Sequence, residues 1–254
     1  MQIATYETEK EAKLLAIGDL HISDNPDIVG KVLSVVGEYN PDFVFLLGDL
    51  INGNSRDSVS NPFEAKISPE EELELATEFI SKLSTHSTIA CAIRGNHEYR
   101  MANKFGVDAL SPVFQMLNIP YDDVVIVDIS IRDGRTGSRN RVNYTIACAH
   151  GISGGRYEEA SIRQNRYFRE FFTGGIDIYF TGHTHKPAVN WSSLNEFDKH
   201  NKKVLERITT MITVSGMQDS AYVERKFLRP TPLMLTFITL TKNKRRQIIE
   251  NVFI

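Results

Sequence analysis

The chain has 254 residues, 41% of them hydrophobic and 24% charged, with a formal net charge of -3 and a pI near 6.2. Those values describe an ordinary globular protein with ample length for a core; they exclude a broadly polycationic nucleic-acid coat but leave room for a local basic groove. The longest apolar runs fall short of the roughly 20 residues a membrane span needs, and residues 1–13 are polar without a signal-peptide pattern, so a cytoplasmic location and no membrane partner are expected.

Taken in order, residues 13–17 predict a short strand that stops at Gly18-Asp19-Leu20-His21. Asn25-Pro26 then supplies a helix start, Asn as cap and Pro at the first helical position. The helix that follows turns Ile28, Val32, Leu33, Val35 and Val36 inward. Residues 43–47 form a nearly continuous apolar strand, typical of a sheet covered on both faces, and it ends at Gly48-Asp49. A polar loop over 52–67 leads to Ser68-Pro69-Glu70-Glu71, a capping box that predicts a helix over 69–83. Residues 88–93 return as a strand ending in Arg94-Gly95-Asn96-His97-Glu98. Strands alternating with helices predict a parallel sheet with right-handed crossovers.

The second half changes character. Residues 124–132 and 142–149 read as an antiparallel hairpin turned by Asp133-Gly134-Arg135-Thr136-Gly137, and the second arm ends at His150-Gly151. Residues 156–172 form an amphipathic helix, and 176–180 a strand ending in Thr181-Gly182-His183-Thr184-His185. Only strands follow, at 188–194, 204–214, 233–240 and 247–253, the last two joined by Lys242-Asn243-Lys244-Arg245-Arg246. No repeat or linker divides the chain, so one domain over 1–254 is expected. Cys91 and Cys148 sit inside apolar runs and read as buried free thiols rather than a disulfide.

Five polar clusters therefore stand at five predicted strand ends. His21, His97, His150, His183 and His185 fall within them, leaving only His86 and His200 of the 7 histidines outside. A lone polar residue at a loop start serves solubility; five such clusters together argue for a common site, because strand carboxyl ends form the crevice of an α/β sheet. On extended chain Asp19 and His21 project to one side, and so do His183 and His185. Asp49 adds an oxygen, Asn96 a neutral amide oxygen and His150 another imidazole. These oxygen and nitrogen ligands, with no thiolate, are too many for one ion and suit two divalent transition metals sharing a carboxylate. Such a pair clamps the attacking and leaving oxygens of an in-line phosphoryl displacement.

Asp19-x-His21, Gly48-Asp49, Gly95-Asn96-His97-Glu98, His150-Gly151 and Gly182-His183-x-His185 resemble, in the right order, the motif series of the calcineurin-like metallophosphoesterase superfamily. The resemblance runs over roughly residues 14–187. It implies an α/β fold, a four-layer α-β-β-α sandwich of two mixed sheets. It implies one metal held by Asp19, His21, Asp49 and His185, and a second held by Asp49, Asn96, His150 and His183, with Asp49 as the catalytic bridge. His97 would contact the phosphate and protonate the leaving oxygen, after in-line attack by a metal-bridging hydroxide. Manganese is the expected metal, with iron and zinc as alternatives.

The substrate is less sharply marked. Ser/Thr protein phosphatases of the superfamily carry an Asp and a phosphate-gripping Arg shortly after the second-cluster aspartate, where this chain has Asn52 and Gly53. The Gly182-His183-Thr184-His185 ending is shared instead by phosphodiesterases and by SbcD-like repair nucleases. The expected substrate is a phosphodiester of a nucleotide or nucleic acid. A phosphomonoesterase acting on protein or small molecules is the alternative, and a non-catalytic scaffold, as in the retromer subunit of this fold, the third. Scaffolds of that kind lose ligands, and this chain keeps them all. Arg94, Arg56 and Arg156, together with Arg100, are candidates to hold substrate because arginine grips phosphate oxygens bidentately; the competing reading for each is a surface charge. Arg163, Arg166 and Arg169 recur at helical spacing as a solvated face, and residues 242–246 form a basic hairpin tip. Tyr99, Tyr157 and Tyr222 could stack on a base or pack at a rim.

Overall fold

Short apolar strands and amphipathic helices alternate much as the periodicity predicts. The computed structural model describes residues 1–9, 11–54, 65–132, 141–152, 154–155, 157, 159–216, 231, 233–243 and 247–254. The elements in order are β1 (Gln2–Thr8), β2 (Ala12–Ile17), α1 (Ile28–Tyr39), β3 (Phe43–Leu46), α2 (Pro69–His86), β4 (Thr88–Ile93), α3 (Asn96–Phe105), α4 (Ser111–Met116) and β5 (Tyr121–Asp122). Then follow β6 (Val124–Arg132), β7 (Arg141–Ala149), α5 (Glu159–Glu170), β8 (Ile178–Thr181), β9 (Ala188–Asp198), β10 (Lys203–Thr213), β11 (Met234–Leu240) and β12 (Gln247–Phe253).

Two mixed sheets of six strands result, ordered β12-β11-β2-β3-β4-β5 and β1-β6-β7-β8-β10-β9. β2, β3, β4 and β5 run parallel, as the strand–helix alternation requires. β6 and β7 pair antiparallel from Val124↔Ala149 to Arg132↔Arg141. The sheets face each other through Phe45, Leu47 and Cys91 on one side and Ile146, Cys148 and Phe180 on the other. The Phe45 and Phe180 rings lie 5.0 Å apart, tying the layers together. On the outer face of the first sheet α1 buries Ile28, Val32 and Val36, and α2 buries Phe79, Ile80 and Leu83. On the outer face of the second, Phe168 and Phe172 pack on Ile176, Tyr179 and Met211. This is the four-layer α/β sandwich expected. Cys91 and Cys148 are buried free thiols, as read. No helix among the described residues is long and apolar enough to cross a membrane.

Several boundaries differ from expectation for local reasons. The Ser68 box forms with both hydrogen bonds, Glu71 N–H to Ser68 Oγ and Ser68 N–H to a Glu71 carboxylate oxygen, and α2 continues to His86. α1 starts at Ile28 rather than at Pro26, because Ser23 and Asp24 are drawn into hydrogen bonds with Asn52. Of the helix expected over 156–172, α5 is described from Glu159 to Glu170, and β9 runs to Asp198. β1 was read as polar chain because, as the edge of its sheet, it buries only Ala4. Arg56, Arg156, Tyr222, the turn at 133–137 and residues 244–246 lie outside the described residues.

Candidate metal centre

Each cluster leaves its strand by a tight bend. Asp19, His21, Asp49, His183 and His185 all have left-handed backbone, with φ of 52°, 45°, 51°, 68° and 58°. Non-glycine residues adopt that region at a cost and persist there when their surroundings force it, which is common where function needs it. The extended-chain reason for placing Asp19 beside His21 is therefore corrected: the bend, not strand alternation, turns their side chains. His183 and His185 are likewise bent, and they point at different partners.

Buried acceptors hold the loops around Ser23, residues 49–53 and Gly95. Glu98, buried at the start of α3, accepts the N–H groups of Asp49, Leu50 and Gly95 at 3.0, 2.9 and 2.9 Å, and that of Ile51 at 3.3 Å. Glu72 on α2 does the same for Ser23, Asn52 and Gly53. Gly48 and Gly95 let the two loops touch: a Cβ at Gly48 would lie 2.6 Å from Gly95 N, and one at Gly95 2.1 Å from Asp49 Oδ1. Gly216, in the loop after β10, packs against Asp19 and His185 in the same way.

The ring nitrogens can be assigned from their partners. His150 Nδ1 faces the Leu47 carbonyl at 2.8 Å and so donates its proton there. His97 Nδ1 donates to the Asn52 carbonyl at 2.9 Å. The Asn52 amide nitrogen donates to Asp24 at 2.6 Å, which leaves its Oδ1 to accept from His21 Nδ1 at 2.7 Å. In the neutral rings, then, the Nε2 lone pairs of His21 and His150 point inward. There His21 Nε2 meets another imidazole nitrogen, and His150 Nε2 meets oxygens. His21 Nε2 is 3.2 Å from His185 Nε2, and Asp19 Oδ1 is 3.6 Å from the latter. His150 Nε2 is 3.0 Å from Asn96 Oδ1 and 3.2 Å from Asp49 Oδ2, while His183 Nδ1 is 2.7 Å from Asn96 Oδ1.

Lone pairs converging on lone pairs are unfavourable unless a proton or a cation lies between them. Without an ion, shared protons are what can separate them, and burial and neighbouring charge set which groups hold one. Burial pushes Asp19 up to about 8, with the Asp49 charge adding to it. Burial opposes a charge on His150, but Asp49 outweighs that and raises it to about 10. Burial, with His150, lowers His183 to about 4, and burial also lowers His21 and His97. A divalent cation removes the need for those shared protons, so this donor set fits metal.

The distances separate two groups. Asp19, His21 and His185 form one, and Asp49, His150 and His183 another, with Asn96 Oδ1 beside the second. Asp49 also groups with His21 and His97, its Oδ2 lying 4.0 Å from His21 Nε2 and 3.8 Å from His97 Nε2. Asp49 thus falls in groups on both sides, and Asp19 Oδ1 also comes within 3.9 Å of His150 Nε2, so the two groups adjoin. Among the arginines read as substrate grips, Arg94 is committed elsewhere: Nε donates to Asp108 at 2.7 Å and Nη1 to Asp123 at 2.8 Å. Arg100 Nη1 is buried with no hydrogen-bond partner among the described residues. Arg163 and Arg166 bond to Gly154 and Glu170, and Arg169 to Ser192.

Sequence reasoning gave no role to Asn52, Glu72, Glu98 or Gly216. Glu98 sits three residues after Gly95, the spacing of a helix-capping acid, which was the available signal. A cavity of about 490 Å³ opens beside the cluster, with Asn96, His150 and Gly151 at its inner end and Tyr99, Tyr167, Phe168 and Phe171 among its walls.

Among curated protein sequences, none is significantly similar to this chain. Solved structures with related architecture include a phosphoesterase from E. coli (Yfce), at 16% identity and TM-score 0.43 over 94% of this chain and 98% of that one. A metallophosphoesterase from Sphaerobacter thermophilus shows 14% identity and TM-score 0.43 over 95% and 88% of the two chains. A dimetal phosphatase from Danio rerio shows 10% identity and TM-score 0.44 over 96% and 99%. The sequence pattern of the calcineurin-like phosphoesterases matches residues 12–187, and the chain belongs to that family of metal-dependent phosphoester hydrolases.

Proposed function

We propose that the chain is a two-metal phosphodiesterase acting on nucleotides or nucleic acid, with Asp19, His21, Asp49 and His185 holding one divalent ion and Asp49, Asn96, His150 and His183 the other. Manganese is the metal proposed. The observation that carries the two-metal reading is the convergence of imidazole nitrogens and carboxylate oxygens into two groups that Asp49 reaches together. Divalent ions bound there supply the positive charge that activates water and neutralises the phosphoryl oxygens.

The chain's own residues do the rest. His97 gives its Nδ1–H to the Asn52 carbonyl and keeps Nε2 on the side of Asp49. In the imidazolium both nitrogens donate, so the Asn52 bond orients the ring while Nε2–H delivers its proton to the departing ester oxygen. The His97 backbone N–H donates to Asp49 Oδ1 at 2.9 Å, which fixes the bridge and the acid relative to each other. The His183 N–H holds both oxygens of Asp19 at 3.0 and 2.8 Å in the same manner.

The diester reading is supported by the Gly182-His183-Thr184-His185 ending and by the space beside Asn96 and His150, room for a second ester arm. A phosphomonoester is the second reading. Arg100, with a buried Nη1 that no described residue satisfies, would suit a dianionic phosphate near His97. Metal-reconstituted protein assayed on bis-p-nitrophenyl phosphate and p-nitrophenyl phosphate separates the two. The diester should be turned over with the higher kcat/KM; a clear preference for the monoester would reverse the choice.

A further inference from the structure

The cavity beside the ligand cluster has a composition that selects an occupant. We propose that it is the subsite for a flat, uncharged aromatic ring carried by the phosphoester, of the kind a nucleobase or an aryl group presents. The inference rests on the phosphoesterase reading of the metal centre and deepens it.

Position comes first. Asn96 and His150 belong both to the ligand cluster and to the cavity wall, so a group in the cavity is joined to the reacting phosphorus by a short arm. Its volume, about 490 Å³, lies within the range of small-molecule sites.

Charge comes next. The cationic side chain Arg94 on the rim is neutralised by Asp108 and Asp123, and its guanidinium lies 5.1 Å above the Tyr121 ring. His150 spends Nδ1 on Leu47 and turns Nε2 to the cluster. Among the described lining residues no cation is left to receive a second phosphate, which argues against a nucleic-acid backbone running through this cavity and for a single uncharged group.

Shape comes last. α5 brings Tyr167 and Phe168 to one wall, with Phe171 just past its end, and α3 brings Tyr99 to another, three residues after Asn96. Phe168 meets Tyr179 at 5.2 Å and Phe172 at 5.8 Å edge-on, which sets the orientation of that one ring. Tyr99 and Tyr167 are about half exposed, at 52% and 50%, and have no ring partner among the described residues. Aromatic side chains gain from offset or edge-on ring contacts beyond the area they bury. A planar ring entering between α3 and α5 supplies the missing partner.

Equilibrium binding tests this on the Mn²⁺-reconstituted full chain by calorimetry. The probes are three ligands that cannot be hydrolysed: methylphosphonate, phenylphosphonate and a nucleoside 5′-phosphonate with methylene in place of the ester oxygen. The expected result is tighter binding of the aromatic ligands than of methylphosphonate by about tenfold, the scale of one stacked ring. A nucleoside ligand tighter than phenyl identifies the ring as a nucleobase, and the reverse order identifies a plain aryl group. In a Tyr99→Ala/Phe171→Ala variant the aromatic-to-methyl affinity ratio should fall towards one. Both side chains are more than half exposed, and Tyr99→Ala alone reads the α3 wall should the double variant fold poorly. If all three ligands bind alike in the native chain, the subsite is wrong while the metal centre stands. If none binds, the phosphoester reading falls and the subsite falls with it.

Discussion

The ligand cluster and the aromatic cavity share Asn96 and His150, but they are held in opposite ways. Around the cluster, Glu98 and Glu72 fix the loop backbone, Gly48 and Gly95 touch across the bend, and five ligand residues sit in left-handed conformation. Every part constrains its neighbours. Across the cavity, Tyr99, Tyr167 and Phe171 are half-exposed or more and stand on or beside two helices. The proposed chemistry, which needs fixed distances, falls on the constrained side, and the proposed recognition, which tolerates adjustment, on the other. Substitutions on the two sides should therefore differ in kind as well as in size.

The largest effect expected in this contrast is His97→Ala, which should lower turnover by about 10²–10⁴-fold, the usual contribution of a positioned general acid. Metal content measured on the same sample should stay at the native level; a parallel loss of metal would move His97 into the ligand set. Next comes Asn52→Ala, which removes the acceptor that orients His21 but leaves the backbone carbonyl used by His97. A loss of about 10–100-fold in metal affinity is expected, as for other groups that orient a ligand from behind. Unchanged affinity would mean that the bend alone positions His21.

A third expectation concerns proton uptake in the metal-free state. Asp19 is raised to about 8 and His150 to about 10, so the folded chain keeps protons there that the unfolded chain has released. Above the ordinary histidine value of 6.5 folding then binds protons, and stability falls as pH rises through 8 towards 10. Below 6.5 the lowered values of His21, His97 and His183 act in the opposite direction. Thermal melts in a chelator should show that high-pH decline, and saturating Mn²⁺ should flatten it. Equal slopes with and without metal would contradict the fit of the donor set. The smallest effect is Tyr99→Ala on stability, within about 0.5 kcal/mol as for other exposed positions; a large drop in Tm would show that the cavity wall is as constrained as the cluster.

Much of this was legible in the sequence, for identifiable reasons. The central strands of the first sheet are covered on both faces, so β3 and β4 read as unbroken apolar runs. The proposed ligands stand where apolar strands of both sheets stop, which makes Asp19, Asp49, Asn96, His150 and His183 visible as breaks in hydrophobicity. β1 escaped because an edge strand buries little, and α3 because its first residues read as site rather than as helix. The supporting layer was harder. Glu72 looks like any acid in the first turn of a helix, and its burial arises only when three backbone N–H groups from distant loops converge on it. Arg94 shows the converse: nothing in the sequence says that Asp108 and Asp123 will pair with it.

The most direct measurement is the metal count. Elemental analysis of Mn²⁺-reconstituted protein should give two ions per chain, and the Asp49→Ala variant, having lost the carboxylate that both groups share, should retain neither. One ion per native chain, or an Asp49→Ala protein that keeps its metal, would contradict the account.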